Sequence, residues 1–184
     1  MRYLFKIISS VSLILFSFSL STFLLFVLFK IYPFFIIPQQ LEVHKEVINI
    51  LFFKNIRPVF LPESEYAHII DVRNVIGLVI LLFLISLYIL FIDWKKKYTK
   101  PKELFIFSLV ILVALFALFL IFPFESSFRY MHLIFFPQGN WEFPLESVLI
   151  KTYPVEFWKT MGYMFWSIAA LTYALFLWVY KKLS

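Results

Sequence analysis

The chain has 184 residues, of which 62% are hydrophobic, 22% aromatic and only 15% charged. Its mean hydropathy of +0.90 lies well above that of an ordinary globular domain, so the composition predicts an integral membrane protein. The chain contains no cysteine, which excludes disulfide exchange, an acyl-thioester intermediate and thiolate metal sites.

Four apolar runs are long enough to cross a hydrocarbon core as helices, which takes about 20 residues. We predict spans at residues 7–32, 72–92, 104–122 and 161–180. The first span follows two basic residues and imitates a secretory signal, but its apolar run is too long for one, so we expect a retained anchor. No repeat or low-complexity linker divides the chain, and a single domain over residues 1–184 is predicted.

The distribution of basic residues predicts the orientation in the membrane. The sequence DWKKKYTKPK between the second and third spans contains five lysines, and both termini are also basic. The other two connections and the span ends beside them contain eight basic and nine acidic residues. The lysine-rich loop and both termini are therefore expected in the cytoplasm. The net charge of +6 reflects this topology and is no evidence for nucleic-acid binding.

The two outer connections, about residues 33–71 and 123–160, are rich in aromatic and apolar residues and are interrupted by prolines. Such segments favour short amphipathic or re-entrant pieces that lie at the membrane interface. The predicted fold class is an all-α membrane protein, with four transmembrane helices and two extracytoplasmic loops that form an interfacial cap. The sequence has no nucleophile elbow, Walker loop or HExxH motif, and no carboxylate lies in the middle of a span as in an ion carrier.

Three histidines lie in or beside the outer loops, and they are the candidates for chemistry. His44 lies among charged residues in LEVHKEVINI, where we expect a solvated helix face. His68 lies where the second span begins, and Asp71 is one helical turn further on, close enough to orient the imidazole or stabilise its charge. The alternative for His68 and Asp71 is a purely structural role, in which they cap and anchor the helix.

His132 belongs to the stretch RYMHLIFFPQGNWEF, residues 129–143. Beside an aromatic run it could equally be a packing residue at the interface. Two histidines at two outer helix ends, with an acid nearby, nevertheless fit general acid–base chemistry on a lipid-borne group. Asn140 adds a side-chain amide and Trp141 a ring with a polar edge, both typical of an interfacial binding site.

These segments resemble the lipoprotein intramolecular transacylase (Lit) family of small four-span membrane proteins. The family pairs a His-x-x-Asp-Val segment at the start of its second helix with a His-x-x-Phe-Phe…Asn-Trp-x-Phe segment before its last helix. The matching positions here are His68, Asp71, Val72, His132, Phe135, Phe136, Asn140, Trp141 and Phe143, followed by Pro154 and Phe157. Ile69 and Met131 depart from the family pattern, but both are apolar replacements beside the motif residues.

The resemblance implies a transfer of the sn-2 acyl chain of a diacylated lipoprotein to the α-amino group of its lipidated N-terminal cysteine. It implies His68 as the base, held by Asp71, and His132 as the group that faces the ester or its leaving oxygen, with the reverse assignment also open. Asn140, Trp141 and Phe136 are expected to bind substrate, and Arg73 or Arg129 an oxyanion or a lipid phosphate. The expected partners are a diacylated lipoprotein and membrane lipid, with no nucleic acid, no cofactor and no metal. The expected location is the plasma membrane, with the active site on its outer face.

Three alternatives from other classes remain at this stage. A haem b protein could use His68 and His132 as axial ligands. A metal-dependent hydrolase could use both histidines together with Asp71. A non-enzymatic scaffold could use the aromatic loops as a binding face, and it would tolerate substitution of the histidines.

The orientation is testable with reporter fusions. Fusions after Lys97 and at the C-terminus should report a cytoplasmic location, and fusions near Asn55 and Gln138 should report the outer side, because lysine-rich loops stay inside. Reporter activity on each side of the membrane is the measurement. A cytoplasmic result at Asn55 would contradict the orientation and an outward-facing site.

Overall fold

The computed structural model describes residues 2–29 and 40–183 of the chain. In this part of the chain the regular secondary structure is helical. The helices are α1 (Arg2–Phe29), α2 (Leu41–Leu51), α3 (Glu63–Lys96), α4 (Pro101–Ile121), α5 (Phe124–Phe135), α6 (Val148–Thr152) and α7 (Val155–Leu183).

Four of these helices, α1, α3, α4 and α7, are long and apolar enough to cross a membrane. The chain is therefore a multi-pass, all-α membrane protein, as predicted. The described segments between the spans contain three short helices, α2, α5 and α6, as expected for outer connections made of short pieces.

The ends of the spanning helices differ from the hydropathy-based predictions. α3 begins nine residues before predicted residue 72, since its polar first turns, which contain Glu63 and Glu65, continue the same helix. Acidic residues in a first turn favour the helix dipole, so polarity here marks a helix start rather than a loop. α7 likewise extends beyond both ends of the predicted span 161–180. Residues 30–32 of the first predicted span lie outside the described residues.

Contacts divide the chain into two compact units. Unit 1 comprises Met1–Leu25, Val79–Pro123 and Tyr163–Ser184, and unit 2 comprises Phe26–Leu78 and Phe124–Gly162. This division does not test the prediction of one domain, which stays a prediction.

Unit 1 contains an apolar core and a buried polar cluster. Its core residues are Leu13, Ile14, Phe16, Leu90, Leu104, Tyr173 and Tyr180. Asp93 is 1% exposed, and its carboxylate accepts hydrogen bonds from Thr99 at 2.9 Å and from the Tyr180 hydroxyl at 2.7 Å. Burial of a carboxylate costs free energy unless it is hydrogen bonded in this way. The bond from Thr99 to Asp93 also stabilises the short turn between α3 and α4.

Two serines of α1 in unit 1, Ser17 and Ser21, form side-chain hydrogen bonds within the helix. Ser17 donates to the carbonyl oxygen of Leu13 at 2.9 Å, and Ser21 donates to that of Ser17 at 2.8 Å. Both side chains are completely buried. Back-bonding to residue i−4 is the usual way in which a hydroxyl is accommodated in an apolar helix. The serines therefore do not interrupt the span.

Unit 2 has its own apolar core and contains all the residues of the candidate site. The core residues are Phe29, Val43, Val47, Ile48, Ile50, Leu51, Leu61, Ile69, Leu149, Tyr153 and Phe157. Helix α2 contributes five of these eleven residues because its apolar residues share one face, and this face packs in the core.

The expectation that His44 lies on a solvated face was wrong. The side chain is 1% exposed, and its Nδ1 lies 2.9 Å from the hydroxyl of Tyr153. His44 precedes Val47, Ile48 and Leu51 by three, four and seven residues, a spacing that places it on the apolar face of α2. Burial lowers the pKa of His44 to about 4, so the ring is neutral at physiological pH.

Glu65 joins α3 to α6 within unit 2. It is 3% exposed, and its two carboxylate oxygens accept the backbone N–H groups of Val148 at 3.1 Å and Leu149 at 2.8 Å. These N–H groups belong to the first turn of a helix and have no partner within it. The carboxylate therefore caps a helix that is far too short to be stable alone.

Replacement of Glu65 by alanine should destabilise the protein by about 1–3 kcal/mol, because two buried N–H groups lose their acceptors. Unfolding of the purified protein in detergent, by heat or denaturant, measures this loss. Glu63→Ala is the matched control, since Glu63 is an exposed carboxylate in the same first turn. Equal stability of the two variants would contradict the capping role.

Candidate active site

The two histidines predicted to act together lie side by side in unit 2. His68 is in the second turn of α3, and His132 is in the last turn of α5. Their ring centroids are 6.0 Å apart, with 26° between the ring planes. Both are buried, at 8% and 7% exposure. The fold thus brings together two residues that are 64 positions apart in the sequence.

Aromatic rings enclose both histidines. Phe136 contacts both, with its centroid 4.8 Å from that of His68 and 5.4 Å from that of His132. Phe143 lies 5.7 Å from His68, and Trp141 lies 4.8 Å from His132. The imidazoles therefore share an apolar chamber in which electrostatic interactions are stronger than in water.

A backbone hydrogen bond fixes the tautomer of His132. Its Nδ1 lies 2.8 Å from the carbonyl oxygen of Phe128, which can only accept, so Nδ1 must carry a proton. In the neutral ring Nε2 then carries the lone pair, and no described residue hydrogen bonds to it. Burial lowers the pKa of His132 below its ordinary value, while the bond to Phe128 acts in the opposite direction. The arrangement favours a neutral imidazole with a basic Nε2.

Asp71 holds a loop rather than the ring of His68. Its Oδ2 accepts hydrogen bonds from Nε2 of Gln138 at 2.7 Å and from Nδ2 of Asn140 at 2.6 Å. Its charge also acts on His68, but no direct hydrogen bond joins the two in the described part of the chain. Asp71 therefore acts on His68 through its charge and through Asn140, which interacts with both side chains.

The loop returns towards α3 because of a tight turn after α5. The N–H of Gly139 donates to the carbonyl oxygen of Phe136 at 3.1 Å, with Pro137 and Gln138 between them. Proline at the second position and glycine at the fourth are favoured in such turns. The φ of +77° at Gly139 is in the left-handed region, which favours glycine. The turn places Gln138 and Asn140 on the same carboxylate oxygen.

Sequence reasoning missed Gln138, and the expected substrate-binding role of the two arginines stays a prediction. A signal for Gln138 was available, because PQGN is a strong turn sequence and its polar side chains needed partners. Arg73 lies 5.9 Å from the ring centroid of Phe53, and Arg129 is exposed on α5. Neither arginine hydrogen bonds to a histidine among the described residues.

The surroundings of the two histidines bear on the haem and metal alternatives. A porphyrin held between the two rings would have to extend through Phe136, which contacts both of them. Within residues 2–29 and 40–183, no group of three His, Cys, Asp or Glu side chains is placed to hold a metal ion.

Comparisons with known proteins place these observations in a family. The sequence model of "Lipoprotein intramolecular transacylase Lit" matches residues 45–158, a range that contains both histidines, Asp71, Asn140 and Trp141. A search of curated proteins finds no match. The fold is similar to a solved structure of the membrane-integral lipoprotein intramolecular transacylase Lit from Bacillus cereus, with a TM-score of 0.69 and 21% identity over 99% of this chain and 97% of that chain. The family match covers well over half of the sequence and includes both segments that carried the resemblance, so the chain belongs to the Lit family of lipoprotein intramolecular transacylases.

Proposed function

We propose that this protein moves the sn-2 acyl chain of a diacylated lipoprotein to the α-amino group of the lipidated N-terminal cysteine, which gives the lyso form. The amine nitrogen attacks the ester carbonyl, a C–N bond forms, the C–O bond breaks, and one proton moves from nitrogen to the glyceryl oxygen. Nucleophile and electrophile belong to the same substrate, so holding them in contact supplies much of the rate enhancement. No covalent enzyme intermediate is needed, in agreement with a chain that lacks cysteine.

The observation that carries this proposal is the fixed tautomer of His132. Its Nδ1–H is committed to the carbonyl of Phe128, so Nε2 is available as a base inside an aromatic chamber. A free α-amino group has a pKa of about 7.7–8.0, so a usable fraction is neutral and can attack. We assign His132 as the base that removes the amine proton and returns it to the departing glyceryl oxygen.

His68 is then the group that faces the ester; it lies beside His132, and both rings contact Phe136. Burial favours the neutral form of an imidazole, and a neutral ring can still donate one N–H to a developing negative oxygen. This is the reverse of the assignment expected from the family resemblance. The bond from His132 to Phe128 supports the reversal, since it fixes which nitrogen of that ring is basic.

We propose Asp71 as a positioning residue that acts through the loop. It holds the amides of Gln138 and Asn140, and thereby the segment that also contains Trp141. Asn140, Trp141 and Phe136 would contact the reacting part of the substrate. Arg73 and Arg129 would meet lipid headgroups, as interfacial arginines commonly do.

The same proposal includes the side of the membrane. With the lysine-rich loop and both termini in the cytoplasm, unit 2 belongs on the outer face of the plasma membrane. An exported lipoprotein presents its lipidated N-terminus on that face. The substrate and the histidines would then meet without passage across the bilayer.

Mass spectrometry of lipoprotein N-terminal peptides tests the proposal directly. Cells with the protein should contain peptides with one N-acyl group and one O-acyl group on the glyceryl moiety, and cells without it should lack them. Purified protein in detergent should produce the same change in a synthetic diacylated lipopeptide. Persistence of the diacylglyceryl form in both experiments would refute the proposed reaction.

Replacement of either site histidine should slow the reaction without loss of the protein. His68→Ala and His132→Ala should each lower turnover by roughly 10²–10⁴, and the double variant should be little worse than either, because the two groups serve one step. Initial rates with the synthetic lipopeptide measure this.

His44→Gln is the matched control, a buried histidine of the same unit that is bonded to Tyr153 and lies outside the proposed machinery. It should lower thermal stability but leave turnover per folded molecule unchanged. Full activity of His132→Phe would show that this position serves packing only.

Asp71→Asn should reduce turnover by up to about 10²-fold, because a neutral amide oxygen holds the two loop amides more weakly than the charged carboxylate does. Membrane insertion and abundance should stay at the wild-type level. The control is Glu142→Gln, which neutralises an exposed carboxylate of the same loop. Wild-type turnover in Asp71→Asn would reduce Asp71 to a helix-start residue with no part in the mechanism.

The pH dependence should have two components. Between about pH 6.5 and 7.7 the logarithm of kcat/KM should rise with a slope near 1, as the substrate amine loses its proton. The pKa of His132 is lowered from its ordinary value of 6.5, so its protonation should steepen the profile only below pH 6.5. His132→Gln should lose one unit of slope in that acidic range. An unchanged acidic limb in this variant would contradict the assignment of His132 as the base.

A further inference from the structure

Three buried polar atoms around the two histidines have no hydrogen-bond partner in the described structure. They are Nδ1 of His68, Oδ1 of Asn140 and Nε1 of Trp141. Buried polar atoms are rarely left unpaired in native proteins, because each loses its hydrogen bonds to water without compensation. Three of them around one aromatic chamber indicate a site that is completed by a ligand.

The polarity of two of these atoms is defined. An indole Nε1 can only donate, so Trp141 offers a donor. Asn140 uses its Nδ2 to donate to Asp71 at 2.6 Å, and the opposite orientation of its amide would place oxygen against oxygen. Its Oδ1 interacts with the ring of His68 but forms no hydrogen bond of good geometry, so it still offers an acceptor. Adjacent residues thus offer one donor and one acceptor near the two histidines.

The reacting groups of the proposed substrate have the complementary polarity. An ester carbonyl oxygen accepts hydrogen bonds, and it gains negative charge as the tetrahedral intermediate forms. A neutral amine has N–H groups that can donate. The ring centroids of Trp141 and His132 are 4.8 Å apart, so the indole that carries this donor contacts the ring of the proposed base.

We propose that Trp141 and Asn140 distinguish the two reacting ends of the substrate: the indole N–H of Trp141 binds the ester carbonyl oxygen, and Oδ1 of Asn140 binds an N–H of the attacking amine. This inference rests on the proposed function and adds the orientation in which the substrate is held. Both atoms are enclosed, so the substrate reaches them by displacing neighbouring side chains of a loop that has no helical backbone bonds.

Trp141→Phe tests the donor, because it keeps an aromatic ring and removes the N–H. Turnover of the synthetic diacylated lipopeptide should fall by about 10²–10³ in kcat, with little change in KM, since the bond strengthens as the oxyanion develops. Trp158→Phe is the matched control. Its ring lies near Phe128 in the same unit, and its Nε1 is not among the unpaired buried atoms.

Two unreactive analogues provide a readout that a packing role would not change. One replaces the sn-2 ester by a ketone, which keeps the carbonyl, and the other by an ether, which lacks it. Wild-type protein should bind the ketone about 3- to 10-fold more tightly than the ether, and Trp141→Phe should bind the two equally. An unchanged preference for the ketone in Trp141→Phe, or a wild-type kcat in that variant, would overturn the role of Trp141.

The acceptor has a parallel test with a lipopeptide whose α-amino group is replaced by hydrogen. Wild-type protein should bind the amine form of the ketone analogue about 3- to 10-fold more tightly than the form without the amine, and Asn140→Ala should lose this difference. Gln138→Ala removes the other amide from Asp71 but leaves the acceptor in place, so it should retain the difference. Equal behaviour of Asn140→Ala and Gln138→Ala would assign Asn140 to loop positioning alone.

The outcomes separate the two levels of inference. If wild-type protein does not convert the diacylated lipopeptide, the proposed function and the orientation fail together. If the wild type converts it and Trp141→Phe behaves as wild type, only the orientation fails.

Discussion

The candidate site depends on one carboxylate. Asp71 is in the third turn of α3 and accepts two side-chain amides from the loop after α5, so it fixes the position of Trp141 and Asn140 relative to His68. The bonds are charge-assisted and therefore stronger than bonds between neutral groups. Without them, the loop between Phe136 and Phe143 would rely on the turn at Gly139 and on ring contacts, which specify its orientation poorly. The positions of the site residues thus depend on two hydrogen bonds to Asp71 as well as on aromatic packing.

The same division of tasks is seen elsewhere in unit 2. Glu65 binds the start of α6, and Glu46 accepts the N–H groups of Val59 and Phe60 at 2.6 and 3.0 Å. In each case a carboxylate on a helix satisfies backbone or side-chain donors of a segment that has few internal bonds of its own. Apolar packing brings these segments together, and the hydrogen bonds to the carboxylates fix their positions relative to the helices.

The sequence predicted the four spanning helices, but it did not predict all of their ends or the contacts of the site. Four apolar runs predicted the spans because hydrocarbon thickness determines their length. His68 and His132 were predicted to act together because both lie at outer helix ends. The start of α3 was missed because hydropathy ends where Glu63 and Glu65 begin, although the helix continues. The hydrogen bond between Gln138 and Asp71 depends on the turn at Gly139 and on the packing of α5 near α3. Hydrophobic periodicity in the sequence does not predict such contacts.

His44 illustrates the same limit in reverse. Charged neighbours suggested a wet surface, yet its spacing from Val47 and Leu51 places it in the core, where Tyr153 provides a hydrogen-bond partner. A local charge pattern reports only the exposed side of an amphipathic helix. The burial of His44 could be predicted only from its helical spacing to the apolar residues of α2.

The carboxylate of Glu65 also has a consequence for biosynthesis. Its partners Val148 and Leu149 lie 83 and 84 residues further along the chain, and the amides bound by Asp71 lie 67 and 69 residues away. Contacts of such high sequence separation form late, because the intervening chain must first be made and ordered. A nascent chain with three inserted helices would expose two uncompensated acids at the start of α3. Unit 2 is therefore complete only when residues near 149 have emerged. A chain that ended before Gln138 would contain His68 without the loop that Asp71 binds.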